Sequence, residues 1–173
     1  MTIALPVILS LSTVSNTLAS SPIKLLALVL VLLPLKYLTA DGICKDFELF
    51  IKDIYEFCQG ISSITFLALD REEYGKKKMY GSDCTTADFN EIQNTDLLIA
   101  FPEDSMGVSI ELGWASALGI ETIVFVDKKY KQSELVKSIN SIVNGKAFNI
   151  DTTNGFLSQI DIIKNAIRSY IEC

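Results

Sequence analysis

The chain has 173 residues, with 15 basic and 21 acidic side chains, a net charge of −6 and no histidine. This length fits one domain with a single core, and the acidic balance argues against a general nucleic-acid binder. The lack of histidine excludes histidine-based catalysis, and the four cysteines form no C-x-x-C pair, so we expect no metal site. Isolated thiols are typical of a reducing cytoplasm, which we expect to be the location.

The N-terminal part of the chain is strongly apolar. We predict an extension over residues 1–22, followed by a single α/β domain over residues 23–173. The extension lacks the basic start of a secretory signal, and its residues 3–11 fit an edge strand or a helix equally. The apolar run at residues 25–35 contains a proline and is shorter than the roughly 20 residues of a membrane helix. We therefore predict a central parallel strand there, with a membrane anchor as the alternative.

Helices and strands are then predicted in alternation. Helical spacing of apolar residues, or helix-capping residues, mark five segments: 46–57, 85–94, 107–119, 133–143 and 155–171. Apolar runs of strand length mark four more: 64–69, 97–101, 121–127 and 147–150. This alternation indicates a doubly wound, flavodoxin-like or Rossmann-like α/β fold, with a five-stranded parallel sheet and helices on both faces.

Residues 70–83 contain the only concentrated basic stretch, with Arg71 and three consecutive lysines, Lys76, Lys77 and Lys78. A solvated loop is one interpretation. The other is a lid that brings cations over a phosphate or a nucleobase.

The pattern over residues 97–127 predicts a β-α-β unit with a right-handed crossover. Because ligands bind outside the carboxyl ends of parallel strands, residues 101–111 are placed at the mouth of a site. Ser105 or Asp104 is expected to cap the helix, and Gly119 to end it. Glu111 lies one turn inside this helix between two apolar residues, where packing needs no charge. The helix dipole explains such an acid, but so does a functional role.

Residues 107–115, Gly-Val-Ser-Ile-Glu-Leu-Gly-Trp-Ala, resemble the G-x-x-x-E-[LI]-G-[YWR]-A motif of the nucleoside 2-deoxyribosyltransferase superfamily. Asp96 precedes the strand before the motif, as in that family. The resemblance implies that Glu111 is the nucleophile. It also implies that Asp88, eight residues before Asp96, orients the nucleophile and helps to protonate the leaving base. By position alone, Asp88 is also an ordinary first-turn acid.

Ser105 distinguishes two branches of this superfamily. Six residues before the glutamate, the branch that hydrolyses nucleoside 5′-monophosphates commonly has a serine that contacts the phosphate, whereas transferases acting on free nucleosides commonly have an aspartate. A helix N-terminus suits an anion, so Ser105 fits the phosphate role as well as a plain cap. Asp104 would take this position if the alignment moved by one residue, and it would favour the transferases. Asp104 and Glu103 are unfavourable beside a phosphate unless they point away.

The resemblance also implies that Gly107, Ser109 and Tyr37 contact the substrate. For Tyr37 the alternative is an aromatic ring that covers the edge of the sheet.

We therefore expect an N-glycosidase that hydrolyses a nucleoside 5′-monophosphate through a glutamyl-glycosyl intermediate and releases the base and ribose or deoxyribose 5-phosphate. Such an enzyme needs no cofactor. Its partner is a small nucleotide or nucleoside rather than a nucleic-acid polymer or a membrane, and the resemblance implies a homo-oligomer. The alternatives are a nucleoside 2-deoxyribosyltransferase and a non-catalytic nucleotide-binding module.

Overall fold

The computed structural model describes residues 26–33, 37–39, 42–77, 79–141 and 144–172. The predicted extension, residues 1–22, lies outside these ranges, so the division of the chain into an extension and a domain stays a prediction. The strands are β1 (Leu26–Leu32), β2 (Leu38–Thr39), β3 (Gly42–Ile43), β4 (Ser62–Leu67), β5 (Leu97–Ala100), β6 (Glu121–Asp127) and β7 (Asn144–Ile150). The helices are α1 (Lys45–Gln59), α2 (Ala68–Arg71), α3 (Gly81–Gln93), α4 (Met106–Leu118), α5 (Glu134–Lys137) and α6 (Ile160–Ile171).

Five of these strands form one sheet in the order β4-β1-β5-β6-β7, and each neighbouring pair is parallel. This is the flavodoxin-like order that the sequence predicts, with β1 as a central strand. The two-residue strands β2 and β3 form a separate antiparallel ladder between β1 and α1. The carboxyl ends of β1, β5 and β6 therefore lie side by side at one edge of the sheet.

The sheet carries an apolar core on each face. Side chains of β5 alternate, so that Leu97 and Ile99 join one core while Leu98 and Ala100 join the other. Helices α1 and α6 cover the first face, and α3 and α4 cover the second. Because β5 is buried on both sides, its sequence is continuously apolar. Helices on both faces confirm the doubly wound fold.

Two predicted boundaries near the site are wrong. Strand β4 ends at Leu67, and Ala68–Arg71 forms α2, because an apolar run fits a buried strand or a buried helical turn equally. Helix α3 begins at Gly81 and has no side-chain cap. Thr85, the first residue of the predicted segment 85–94, lies inside the helix, where its hydroxyl donates to the carbonyl of Gly81 at 3.2 Å.

The two last predicted helices are shorter than expected because single 3-10 turns replace parts of them. The segment 133–143 forms α5 and the turn Ile139–Ser141, and residues 142 and 143 lie outside the described ranges. Two further turns, Thr152–Asn154 and Phe156–Gln159, precede α6. Such turns share the i, i+3 spacing of a helix, so periodicity does not separate them. In the described part of the chain, no helix has the length and apolarity needed to cross a membrane.

Candidate active site

The predicted nucleophile Glu111 lies on the flank of α4 that faces α3. Phe89 of α3 and Trp114 of α4 meet edge to face, with ring centroids 5.5 Å apart. Glu111 lies three residues before Trp114, and residues at this spacing share one flank of a helix. Asp88, next to Phe89 in the chain, is the strongest neighbouring charge acting on Glu111. The structure therefore brings together the two carboxylates that the resemblance singled out.

Glu111 has a strongly perturbed acidity. Burial raises the pKa of its carboxyl from 4.5 to about 7, and the negative charge of Asp88 acts in the same direction. The Arg71 guanidinium lowers this pKa and so limits the rise, while Glu91 adds to it. A carboxyl that titrates near neutral pH is present in both the ionised and the protonated form, which suits a nucleophile or a proton-transfer group.

Arg71 organises the acids around Glu111. Its Nη2 donates to Oδ1 of Asp88 at 2.8 Å and more weakly to Oε1 of Glu72 at 3.4 Å. Its Nη1 donates to both carboxylate oxygens of Glu91, each at 3.2 Å. The side chains of Arg71 and Asp88 are only 16% and 15% exposed, so solvent screens this pair weakly. One guanidinium thus holds three carboxylates in place beside the fourth, Glu111.

The second oxygen of Asp88 is also occupied. The thiol of Cys84, one helical turn earlier in α3, donates to Oδ2 of Asp88 at 3.3 Å. Burial raises the pKa of this thiol to about 11, and the hydrogen bond to Asp88 adds to the effect. Cys84 therefore remains a protonated donor at neutral pH and fixes the rotamer of Asp88.

The basic stretch at residues 70–83 is consequently not one solvated loop. Arg71 ends α2 directly after β4 and belongs to the carboxylate cluster. Lys76 and Lys77 are exposed, and Lys78 lies outside the described residues. A role of these lysines over a substrate stays a prediction.

Ser105 caps α4, as one of the two expected cap residues. Its Oγ accepts the backbone N–H of Val108 at 3.4 Å, and the helix ends at Gly119, whose φ of 70° is left-handed. The half-buried Ser105 thus lies at the N-terminus of a 13-residue helix, just beyond the carboxyl end of β5. Backbone N–H groups of the first turn at such a position can hold an anion.

Gly107 and Ser109, the two other predicted substrate contacts on α4, differ in their positions on the helix. A Cβ at Gly107 would make only an ordinary contact with Oγ of Ser105, at 3.7 Å, so the protein itself does not require glycine there. Ser109 precedes Glu111 by two residues, which is about 200° around the helix, so it lies on the other flank of α4. Its hydroxyl donates to the carbonyl of Ser105 at 2.8 Å. Ser109 is therefore not brought to Glu111, and its contact with substrate stays a prediction.

Tyr37 is packed into the edge of the sheet. Its ring lies against Phe47 and Phe156, with centroids 4.0 Å and 5.0 Å away. Its hydroxyl donates to Oε2 of Glu103 at 2.8 Å and lies 2.7 Å from the hydroxyl of Tyr130. Burial and these two hydrogen bonds raise the pKa of Tyr37 well above its ordinary value, so it stays protonated. This arrangement matches the alternative of an aromatic that covers the sheet edge, and a substrate contact stays a prediction.

Glu103 is a buried acid at this edge. It is 6% exposed and has a positive φ of 41°, which is uncommon for a residue with a side chain. The hydrogen bond from Tyr37 turns its carboxylate toward β1 and the loop after β6. Asp104, the next residue, is exposed.

Sequence patterns did not reveal the partners of Asp88. Arg71 comes close to Asp88 only after folding. Cys84 lies one helical turn before Asp88, a spacing that occurs in every helix and so gives no signal of a contact. One signal was available for Arg71, which follows a predicted strand at its carboxyl end, where sites of parallel sheets are built.

Fold and site together define a doubly wound α/β protein whose candidate site is a half-buried carboxylate pair beside the N-terminus of a helix. Among solved structures, the chain is similar to the CMP N-glycosidase BcmB of Clostridium botulinum, with 23% identity over 79% of this chain and 98% of that one, and a TM-score of 0.54. It is also similar to BlsM, with 22% identity over 85% and 90% of the two chains and a TM-score of 0.66. No protein-family model and no curated protein matches the chain. The two likenesses confirm, at the level of the fold, the resemblance that the motif indicated.

Proposed function

We propose that the protein hydrolyses the N-glycosidic bond of a nucleoside 5′-monophosphate and releases the base and ribose or deoxyribose 5-phosphate. The observation that carries this proposal is the half-buried Glu111 carboxyl, whose pKa is raised to about 7, beside Asp88 at the carboxyl edge of the sheet. Cleavage of a glycosidic bond with retention uses one carboxylate as nucleophile and a second acidic group for the leaving group. The shared fold with a CMP N-glycosidase supports the same assignment and makes CMP the first substrate to test.

In the proposed reaction, an ionised oxygen of Glu111 attacks C1′ of the sugar. The bond between C1′ and the base nitrogen breaks, its electron pair leaves with the base, and a glycosyl ester forms on Glu111. Asp88, held by Arg71 and Cys84, orients the nucleophile and assists protonation of the departing base. Water then attacks C1′, which releases the sugar phosphate and regenerates the carboxylate.

The 5′-phosphate is proposed to lie at the N-terminus of α4, against Ser105 and the backbone of Gly107. Two observations support this position. The absence of a side chain at Gly107 lets a ligand approach the backbone, although no protein contact demands glycine there. The nearby Glu103 carboxylate is turned away to Tyr37, which reduces its repulsion of an anion.

The test is base release, followed by chromatography, from ribo- and deoxyribonucleoside 5′-monophosphates and from their parent nucleosides. We expect release from monophosphates and its loss in Glu111→Gln, which preserves shape but removes the nucleophile. Glu134→Gln is the matched control, because Glu134 is an exposed residue of α5 that pairs with Lys137 in its own helix. Retained turnover in Glu111→Gln would refute the assignment.

The same assay separates the alternatives. Base exchange that requires an added acceptor base would identify a 2-deoxyribosyltransferase. Saturable nucleotide binding without any base release would identify a binding module, in which Glu111 accepts a hydrogen bond from a ribose hydroxyl.

Two further properties belong to the proposal. A cytoplasmic location is supported by the free thiols of Cys44, Cys58 and Cys84. A homo-oligomer is supported by the resemblance to the superfamily alone, and sedimentation of the purified chain tests it.

A further inference from the structure

A cavity of about 460 Å³ lies at the start of α4, where the proposed function places the 5′-phosphate. Ser105, Met106 and Ile110 line it from α4, while Lys131 and Ser133 line it from the segment between β6 and α5. Its volume falls within the range of about 300–1,000 Å³ that is usual for small-molecule sites. A phosphate at the start of α4 therefore lies between the helix and the segment that follows β6.

The charge of a phosphate requires more than the helix can supply. A phosphate monoester carries a charge of about −1.5 to −2 at pH 7. The N-terminus of a helix is equivalent to only about half a positive charge, and two acids, Glu103 and Asp104, also line this cavity. The Arg71 guanidinium already pairs with three carboxylates. The phosphate is therefore bound firmly only if another cation reaches it.

Lys131 is the cation of this cavity. Among the described residues that line the cavity, it alone carries a positive charge. Its side chain is exposed, and the ion pairs within the described ranges leave its ammonium group unpaired. A lysine ammonium has three N–H donors on a flexible stem and binds phosphate as a point charge. Lys131 can thus turn into the cavity without breaking an existing ion pair.

The geometry of α4 connects this cavity to the nucleophile. Gly107 and Glu111 are four residues apart, so they share one flank of the helix and are separated by about 6 Å along its axis. Gly107 is exposed and has no side chain, so a sugar can lie along the backbone at this position. Such a sugar would have its 5′-phosphate in the cavity and its C1′ toward Glu111.

We propose that Lys131 binds the 5′-phosphate and gives the protein its preference for nucleoside 5′-monophosphates over nucleosides. This inference rests on the proposed function, which places the phosphate at the start of α4, and it adds the residue that neutralises the charge. The alternative role of Lys131 is to offset the carboxylates of Glu103 and Asp104. In that role it would contribute no more to phosphate affinity than another lysine of the same turn.

The experiment is calorimetric titration of the full chain with ribose 5-phosphate and with ribose, neither of which has a base to lose. Wild type should bind ribose 5-phosphate saturably and more tightly than ribose. Lys131→Met should weaken the binding of ribose 5-phosphate by roughly tenfold, between the effects of an exposed ion pair and of a hydrogen bond to a charged group. Lys131→Arg should retain most of the affinity. Lys128→Met is the control, because Lys128 is an exposed lysine of the same turn that does not line the cavity, and its removal should weaken binding by less than about twofold.

Kinetics provide a second measurement. Lys131→Met should narrow the ratio of kcat/KM between a monophosphate and its parent nucleoside by about the same factor as it weakens binding. Absence of ribose 5-phosphate binding to wild type, or equal losses in Lys131→Met and Lys128→Met, would overturn the inference, whatever Glu111→Gln shows for base release. Binding that depends on Lys131, without base release from any monophosphate, would support the phosphate site and refute the proposed hydrolysis.

Discussion

Replacing Glu111 by glutamine should stabilise the protein at alkaline pH while it removes catalysis. The carboxyl has a pKa of about 7 in the folded protein against an ordinary 4.5, because burial and Asp88 disfavour its charge. Between pH 4.5 and about pH 7, the folded protein binds more protons at this group than the unfolded chain does. Stability contributed by this group is therefore complete below the unfolded pKa and is lost as the pH rises through the folded one.

The size of the effect follows from the two pKa values. At roughly 1.4 kcal/mol per pH unit, a rise from 4.5 to about 7 corresponds to about 3 kcal/mol of unfolding free energy. Glutamine has the same shape and no charge to desolvate. Glu111→Gln should therefore match wild type near pH 4 and exceed it by about 3 kcal/mol above about pH 8.

Urea unfolding of both proteins, followed by circular dichroism at acid and alkaline pH, measures this difference. Glu134→Gln, at the exposed surface of α5, should show no such dependence on pH. A stability difference that is the same at both pH values, or a glutamine variant that is weaker at alkaline pH, would refute the argument that burial perturbs Glu111.

Substitutions at three other residues test the surroundings of the site. Arg71→Met should lower the unfolding free energy, measured in urea, by about 3 kcal/mol, because it leaves carboxylates including Asp88 without their cation. It should also move the acid limb of the pH–rate profile to higher pH, because Arg71 lowers the pKa of Glu111. Arg71→Lys should restore part of both the unfolding free energy and the pH–rate profile. Ser105→Ala should lower unfolding free energy by about 1 kcal/mol through loss of the cap, and should raise KM for monophosphates more than for nucleosides. Thr152→Val should cost about 1–3 kcal/mol in urea unfolding without changing kcat, because the Thr152 hydroxyl donates to the buried Asp127 carboxylate.

The fold was predictable where local signals agreed. Strand β6 has the predicted bounds, because its apolar run lies between Gly119, which ends the preceding helix, and Asp127. Ser105 and Gly119 delimit α4 through local hydrogen bonds and one left-handed residue, which sequence patterns encode. The position of Glu111 followed from these two ends, and the resemblance supplied its role.

The rest of the site depends on contacts between distant parts of the chain. Arg71 of α2 meets Asp88 and Glu91 of α3 only because folding brings these two helices together. The hydroxyl of Tyr37 donates to Glu103, which lies 66 residues later in the chain, and no local sequence pattern predicts that pair.

The position of Trp114 gives the protein an optical reporter. It is the only tryptophan of the chain, and its indole touches Phe89 across the seam between α3 and α4, one turn from Glu111. Intrinsic tryptophan emission therefore arises from one place, and that place is the wall of the proposed reaction cleft. Ligands that enter this cleft should alter the emission of Trp114 directly. The same signal can then follow the filling of the cleft in real time, without any added label.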